Sequence, residues 1–105
     1  MEKIKIKFEY LCFPVWLYDE NDNLIDNELP SSLIGDVEVD PAFVSLQEKF
    51  DSLFKNDGIE FEYVGFNNTT LKNEFLKKLD SAIKLLEEKV GDKYVIENCL
   101  NIENL

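Results

Sequence analysis

Residues 10–30, YLCFPVWLYDENDNLIDNELP, set a dense apolar and aromatic run directly before a strongly acidic one. The first half, through Trp16 and Tyr18, calls for burial. The second half holds Asp19, Glu20, Asp22, Asp26 and Glu28 among asparagines, and unpaired charges at that density stay in water. A β-hairpin with its base in the core and its tip displayed meets both demands. Glu20-Asn21-Asp22-Asn23 is the expected turn, because Asn and Asp tolerate left-handed backbone and hydrogen-bond their own main chain. Val15–Asp19 and Leu24–Asp26 are the expected strands on either side, and Pro14, with no donor for a ladder, marks a bend or edge before them.

Upstream, Lys3, Lys5 and Lys7 alternate with Ile4, Ile6 and Phe8, which predicts a half-buried strand over Lys3–Cys12. The lysine stripe reads either as a basic binding strip or, more plainly, as the solvated face of that strand. Ile59, Phe61 and Tyr63 alternate with Glu60 and Glu62, predicting a further strand over Ile59–Phe66. Phe43, Leu46, Phe50, Leu53 and Phe54 recur at helical spacing, predicting a helix near Pro41–Lys55 with Asp40 as its N-cap and Asp57-Gly58 as its stop. Leu71, Phe75, Leu79, Ile83, Leu86 and Val90 form one stripe of a longer helix, Leu71–Val90, closed by Gly91. A helical turn is expected at Ser31–Ile34. Tyr94-Val95-Ile96 reads as an edge strand followed by a polar tail.

Together these predict one α+β domain over residues 1–105. Its antiparallel sheet is built from the Lys3–Cys12, Val15–Asp19, Leu24–Asp26 and Ile59–Phe66 strands, and the two amphipathic helices pack on one face. Ile4, Ile6, Phe8, Phe50, Phe61, Tyr63, Phe75, Leu79 and Ile83 are the expected core.

The charge balance is 22 acidic residues against 11 basic ones, a formal net charge of −11. Every basic residue is lysine, and there is neither Arg nor His. Such a surface repels phosphates, which argues against nucleic acid or an anionic membrane as partner and favours a basic protein. Solubility alone is the plainer reading of the same acidity. Without His there is no neutral-pH imidazole base or imidazole metal ligand. Cys12 and Cys99 sit in apolar contexts and form no C-x-x-C, which favours free thiols, with a disulfide between them left open. The alternating N-terminus has no signal-peptide character, and no apolar run approaches membrane-span length, so a cytoplasmic location is expected.

No catalytic, cofactor-binding or metal motif emerges. Asp19, Asn21 and Asn23 match the opening of a calcium loop, but Leu24 stands where that loop needs Gly and Pro30 where it needs Glu. Asp19, Asp26, Glu60 and Glu62 would be the carboxylates of a small hydrolase, yet no nucleophile or phosphate loop accompanies them. The Glu60/Glu62 pair is more simply the wet face of a strand.

Tyr18–Asp26 with the following Asn27-Glu28-Leu29-Pro30, Phe50-Asp51-Ser52-Leu53-Phe54 and the segment Phe61–Phe66 resemble small bacterial immunity proteins of polymorphic toxin systems. The closest class is the CdiI-type partners of contact-dependent growth inhibition toxins. That resemblance implies a cytoplasmic, non-enzymatic protein, expected to be monomeric, that binds one cognate toxin tightly. A nuclease is the expected toxin, because its phosphate-binding site is basic. The acidic hairpin itself, and not the resemblance, makes Asp19, Glu20, Asp22, Asp26 and Glu28 the expected partner contacts, with Trp16 or Tyr18 as an anchor. An acidic regulatory or adaptor domain with an unrelated partner is the alternative.

Overall fold

A computed structural model describes residues 1–100. Residues 101–105, within the expected polar tail, lie outside the described residues. Ile4 and Ile6 of strand β1 (Glu2–Ile6) are wholly buried, whereas Lys3 and Lys5 point to the opposite face and are half-buried. Antiparallel pairing sets Ile4 beside Leu17 and Ile6 beside Val15 of β2 (Val15–Tyr18), which extends the dry face. β3 (Leu24–Asp26) completes the hairpin, with an irregularity in register at Leu17/Tyr18.

β1 stops at Ile6 rather than running to Cys12. Lys7 N–H still donates to Pro14 O at 3.1 Å, but beyond that pair the chain turns, with Leu11 at φ 58° and Cys12 N–H donating to Glu9 O. Pro14 has no N–H to prolong the ladder. The polar backbone of this turn is satisfied from the first long helix instead. Leu11 N–H donates to Asp51 Oδ1 at 2.8 Å, and Gln47 Nε2 donates to Glu9 O at 2.9 Å.

That helix, α1, spans Val39–Asp51, after a short 3₁₀ turn at Ser31–Leu33. It begins two residues ahead of the expected Pro41. Its capping carboxylate is Asp36, which accepts from the Glu38 and Val39 amides at 2.9 Å each, and not Asp40, whose carboxylate accepts from Gly35 N–H. Pro41 still sacrifices no helical bond, because it lies among the first four residues. Val39, Phe43, Leu46 and Phe50 form the buried stripe.

α1 ends before the expected Lys55. Phe54–Asn56 forms a strand, β4, that pairs antiparallel with β5 (Phe61–Tyr63). The expected Ile59–Phe66 strand is therefore shorter and belongs to a separate two-stranded ribbon rather than to the main sheet. Phe61 and Tyr63 are consequently exposed instead of core. One face of so small a ribbon is covered only in part, by Tyr10 and Phe50.

The long helix α2 runs from Thr69 to Val90. Asn68 caps it by accepting from the Thr70 and Leu71 amides, and Gly91 ends it at φ 62°. Phe75, Leu79, Ile83, Leu86 and Val90 of the expected stripe are buried, with Ala82 beside them, whereas Leu71 in the first turn is exposed. α2 returns the chain to the sheet, where β6 (Tyr94–Asn98) pairs parallel with β1. The main sheet thus has the order β3-β2-β1-β6, antiparallel except at its last pair. The α+β class holds, with both helices contributing to one core against Ile4, Ile6 and Val15. At the far end, Lys89 Nζ of α2 reaches Asp36 and Glu38 at 3.0 Å each, pinning the close of one helix to the start of the other. No helix among the described residues is long and apolar enough to cross a membrane.

Candidate partner-binding site

The outer face of the sheet is set by the same register that builds the core. Lys3 lies opposite Tyr18 and Lys5 opposite Trp16, so both aromatic residues share a face with the lysines and lie away from the core. Lys7 Nζ sits 4.8 Å from the Trp16 ring and 5.1 Å from the Tyr18 ring, and it donates to Tyr18 Oη at 2.6 Å. Lys5 Nζ is 4.5 Å from the Tyr18 ring. Trp16 Nε1 donates to Lys7 O at 3.1 Å. Lys5 and Lys7 are therefore packed over two aromatic faces, where cation–π attraction replaces part of their hydration.

The hairpin tip is hydrogen-bonded to itself. Asp19 Oδ1 accepts from the amides of Asn21 and Asn23, at 2.8 Å each, and Oδ2 accepts from the Asn23 side chain at 3.2 Å. These donors, Asn23 N–H foremost, hold the Asp19 carboxyl below its ordinary pKa. Asp22 occupies the left-handed position at φ 66°. Its carboxylate folds back onto β1, 3.2 Å from Lys5 Nζ and 3.3 Å from Lys3 Nζ. Lys5 first and Lys3 second depress the Asp22 pKa, and Asp22 in turn raises that of Lys5.

The remaining acids are engaged more loosely. Glu20 Oε1 lies 3.0 Å from the Met1 amino group, at an exposed site where such a pair contributes little. Asp26 accepts from Asn27 N–H and Glu28 from Leu29 N–H. Asn27, which carried no role in the sequence reading, donates from its side chain to Phe13 O and Val15 O at 2.6 and 2.9 Å, bracing the hairpin base.

The structure brings the sequence-predicted residues onto one hairpin, but not as a set of mutually repelling carboxylates. Asp19 is committed to the turn and Asp22 is neutralised by two lysines. Glu20 and Asp26 remain as exposed acids, with Leu24 and Ile25 exposed beside them. The other carboxylates considered for catalysis are elsewhere: Glu60 and Glu62 lie on and beside β5 of the ribbon, separate from the hairpin. Cys12 is half-buried and Cys99 exposed, and both are free thiols. Among the described residues, no group of three or more Asp, Glu, Cys or His side chains gathers in a way that could hold a metal ion.

Comparison with known proteins finds no matching family model and no significant match to a curated protein.

Proposed function

We propose that this chain is a binding protein that neutralises a cognate basic protein toxin, in the manner of an immunity protein, and has no turnover of its own. The observation that carries the reading is the surplus of 22 acidic over 11 basic residues, presented in part on a hairpin whose tip is fixed by its own hydrogen bonds. A preorganised acidic surface loses little entropy on binding, and its field accelerates encounter with a cationic cleft. Nuclease toxins fit this description, because an active site built for phosphate is basic. Asp26 and the weakly paired Glu20 supply the exposed charge on this surface, with Trp16 and Tyr18 as half-buried aromatic neighbours and Glu28 at its base. Asp19 and Asp22 shape the surface more than they charge it. The protein acts as a monomer in the cytoplasm, where such a toxin does its damage.

The test is co-expression with the product of the adjacent upstream gene, followed by growth rescue and calorimetric titration of the purified pair. A toxic product that is neutralised and bound by this chain supports the reading. A non-toxic product, or a toxin whose activity this chain leaves intact, refutes it. Within a confirmed pair, Glu20→Lys with Asp26→Lys should slow association most strongly at low salt. Unchanged association in that double variant would move the interface off the hairpin.

A further inference from the structure

The β4–β5 ribbon has an open side. Asp57 N–H donates to Glu60 O at 3.2 Å, and Val64 N–H donates to Leu53 O at 2.8 Å. With Phe54 opposite Tyr63 and Asn56 opposite Phe61, the alternation of an antiparallel ladder directs the Phe61 and Tyr63 N–H and C=O groups away from β4. Among the described residues, none of these four groups has a hydrogen-bond partner. Apolar side chains stand exposed along the same strand and its flanks: Ile59 at 93%, Phe61 at 55% and Val64 at 54%. A free strand edge carrying exposed aromatic and branched side chains is a template for another strand, and natural folds usually blunt such edges.

The charge of the ribbon selects the occupant. Residues 54–63 contain Asp57, Glu60 and Glu62 against the single Lys55. Asp57 is occupied with its own turn, accepting from the Ile59 and Glu60 amides. Lys55 lies opposite Glu62 in register but reaches only Glu60, at 3.9 Å, and Glu62 makes no ion pair among the described residues. A second copy of this chain would set these glutamates against each other. A strand alternating basic and apolar residues would instead put its cations beside Glu60 and Glu62 and its apolar side chains on the face of Phe61 and Tyr63.

We propose that the free edge of β5 binds an extended segment of a partner protein, alternating basic and apolar residues, as an added third strand of the ribbon. The surface is distinct from the hairpin. The proposal rests on the toxin-binding reading only for the identity of the partner, and the edge can be tested without it.

The test uses the isotopically labelled full chain and a short, end-capped peptide alternating lysine and valine. Saturable amide shifts at residues 59–64 are expected. So is new protection from hydrogen exchange at Phe61 and Tyr63, with no gain at Glu62, whose amide already faces β4. Glu60→Lys with Glu62→Lys, both exposed changes, should weaken the peptide about tenfold. Replacing alternate valines by proline in the peptide should abolish binding while leaving the protein untouched. The proposal is overturned if the ribbon amides do not respond, if a glutamate–valine peptide binds equally well, or if they shift with protein concentration alone, the signature of self-pairing. Peptide binding without toxin neutralisation would leave the edge standing and remove the immunity reading. The converse result would remove only the edge.

Discussion

Asp22 Oδ1 lies 3.2 Å from Lys5 Nζ, so an acid at the tip of the displayed hairpin is tied back to the first strand of the sheet. Lys3, 3.3 Å away, shares the same carboxylate. Asp22→Lys would therefore place three cations together and should lower the Tm, more at low than at high salt. Adding Lys5→Glu should recover part of the loss. Thermal melts of the single and double variants at two ionic strengths measure this. Equal Tm for wild type and Asp22→Lys at low salt would mean that the pair is inconsequential.

The Asp36 carboxyl gives stability a definite pH dependence. The amides of Val39 and Glu38, followed by Lys89, hold its pKa at about 2 against an ordinary 3.8. A carboxyl depressed on folding stabilises the native state fully above its unfolded pKa, and that contribution is lost as pH falls through the folded value. Asp36→Asn should thus be less stable than wild type near neutrality, with the difference shrinking between pH 3.8 and about 2. Denaturant melts across that range decide it. A difference that stays constant down to acid pH would assign the effect to lost capping geometry rather than charge.

Phe75 and Phe61, both expected in the core from the sequence, should behave very differently. Phe75 is 3% exposed and touches the rings of Phe8 and Phe66, so Phe75→Ala should cost about 3–5 kcal/mol. Phe61 stacks on Phe54 at 5.3 Å but faces water, and Phe61→Ala should cost only about 0.5–1.5 kcal/mol. Urea unfolding of both variants compares them directly. Similar losses would mean that the ribbon is part of the core.

Much of this contrast was not legible in the sequence. The stripe of α2 was, apart from the exposed Leu71, because its apolar spacing and Gly91 agree on one element. Ile59, Phe61 and Tyr63 alternate with glutamates in the way a half-buried strand of the main sheet would. Nothing in their own pattern says that the partner is three residues long. That partner, Phe54–Asn56, was hidden because Leu53 and Phe54 also continue the helical spacing of Phe43, Leu46 and Phe50. The hairpin was legible as a shape, and its acids as acids. Which of them are compensated depends on Lys3 and Lys5 reaching across the sheet, a spatial fact that linear spacing does not carry.

The two thiols differ in accessibility. Cys99 follows that strand and is exposed, whereas Cys12 is half-buried. An alkylating reagent should modify Cys99 first in the native protein, with Cys12 following more slowly. Mass spectrometry of a time course resolves the order. A native protein with no titratable thiol would instead show the two joined.

The pairing of Glu2 with Tyr94 and of Ile6 with Asn98 has a consequence for how the chain is made. One edge of β1 stays unsatisfied through synthesis of the hairpin, both helices and the ribbon, until Tyr94–Asn98 has emerged. Pairing between segments so distant in sequence forms late and slowly. In that interval a strand of alternating isoleucine and lysine is open to the wrong neighbours. Lys3 and Lys5 of that strand can serve during the wait as charges that discourage association. A truncation before Tyr94 is accordingly expected to yield aggregated rather than merely weakened protein.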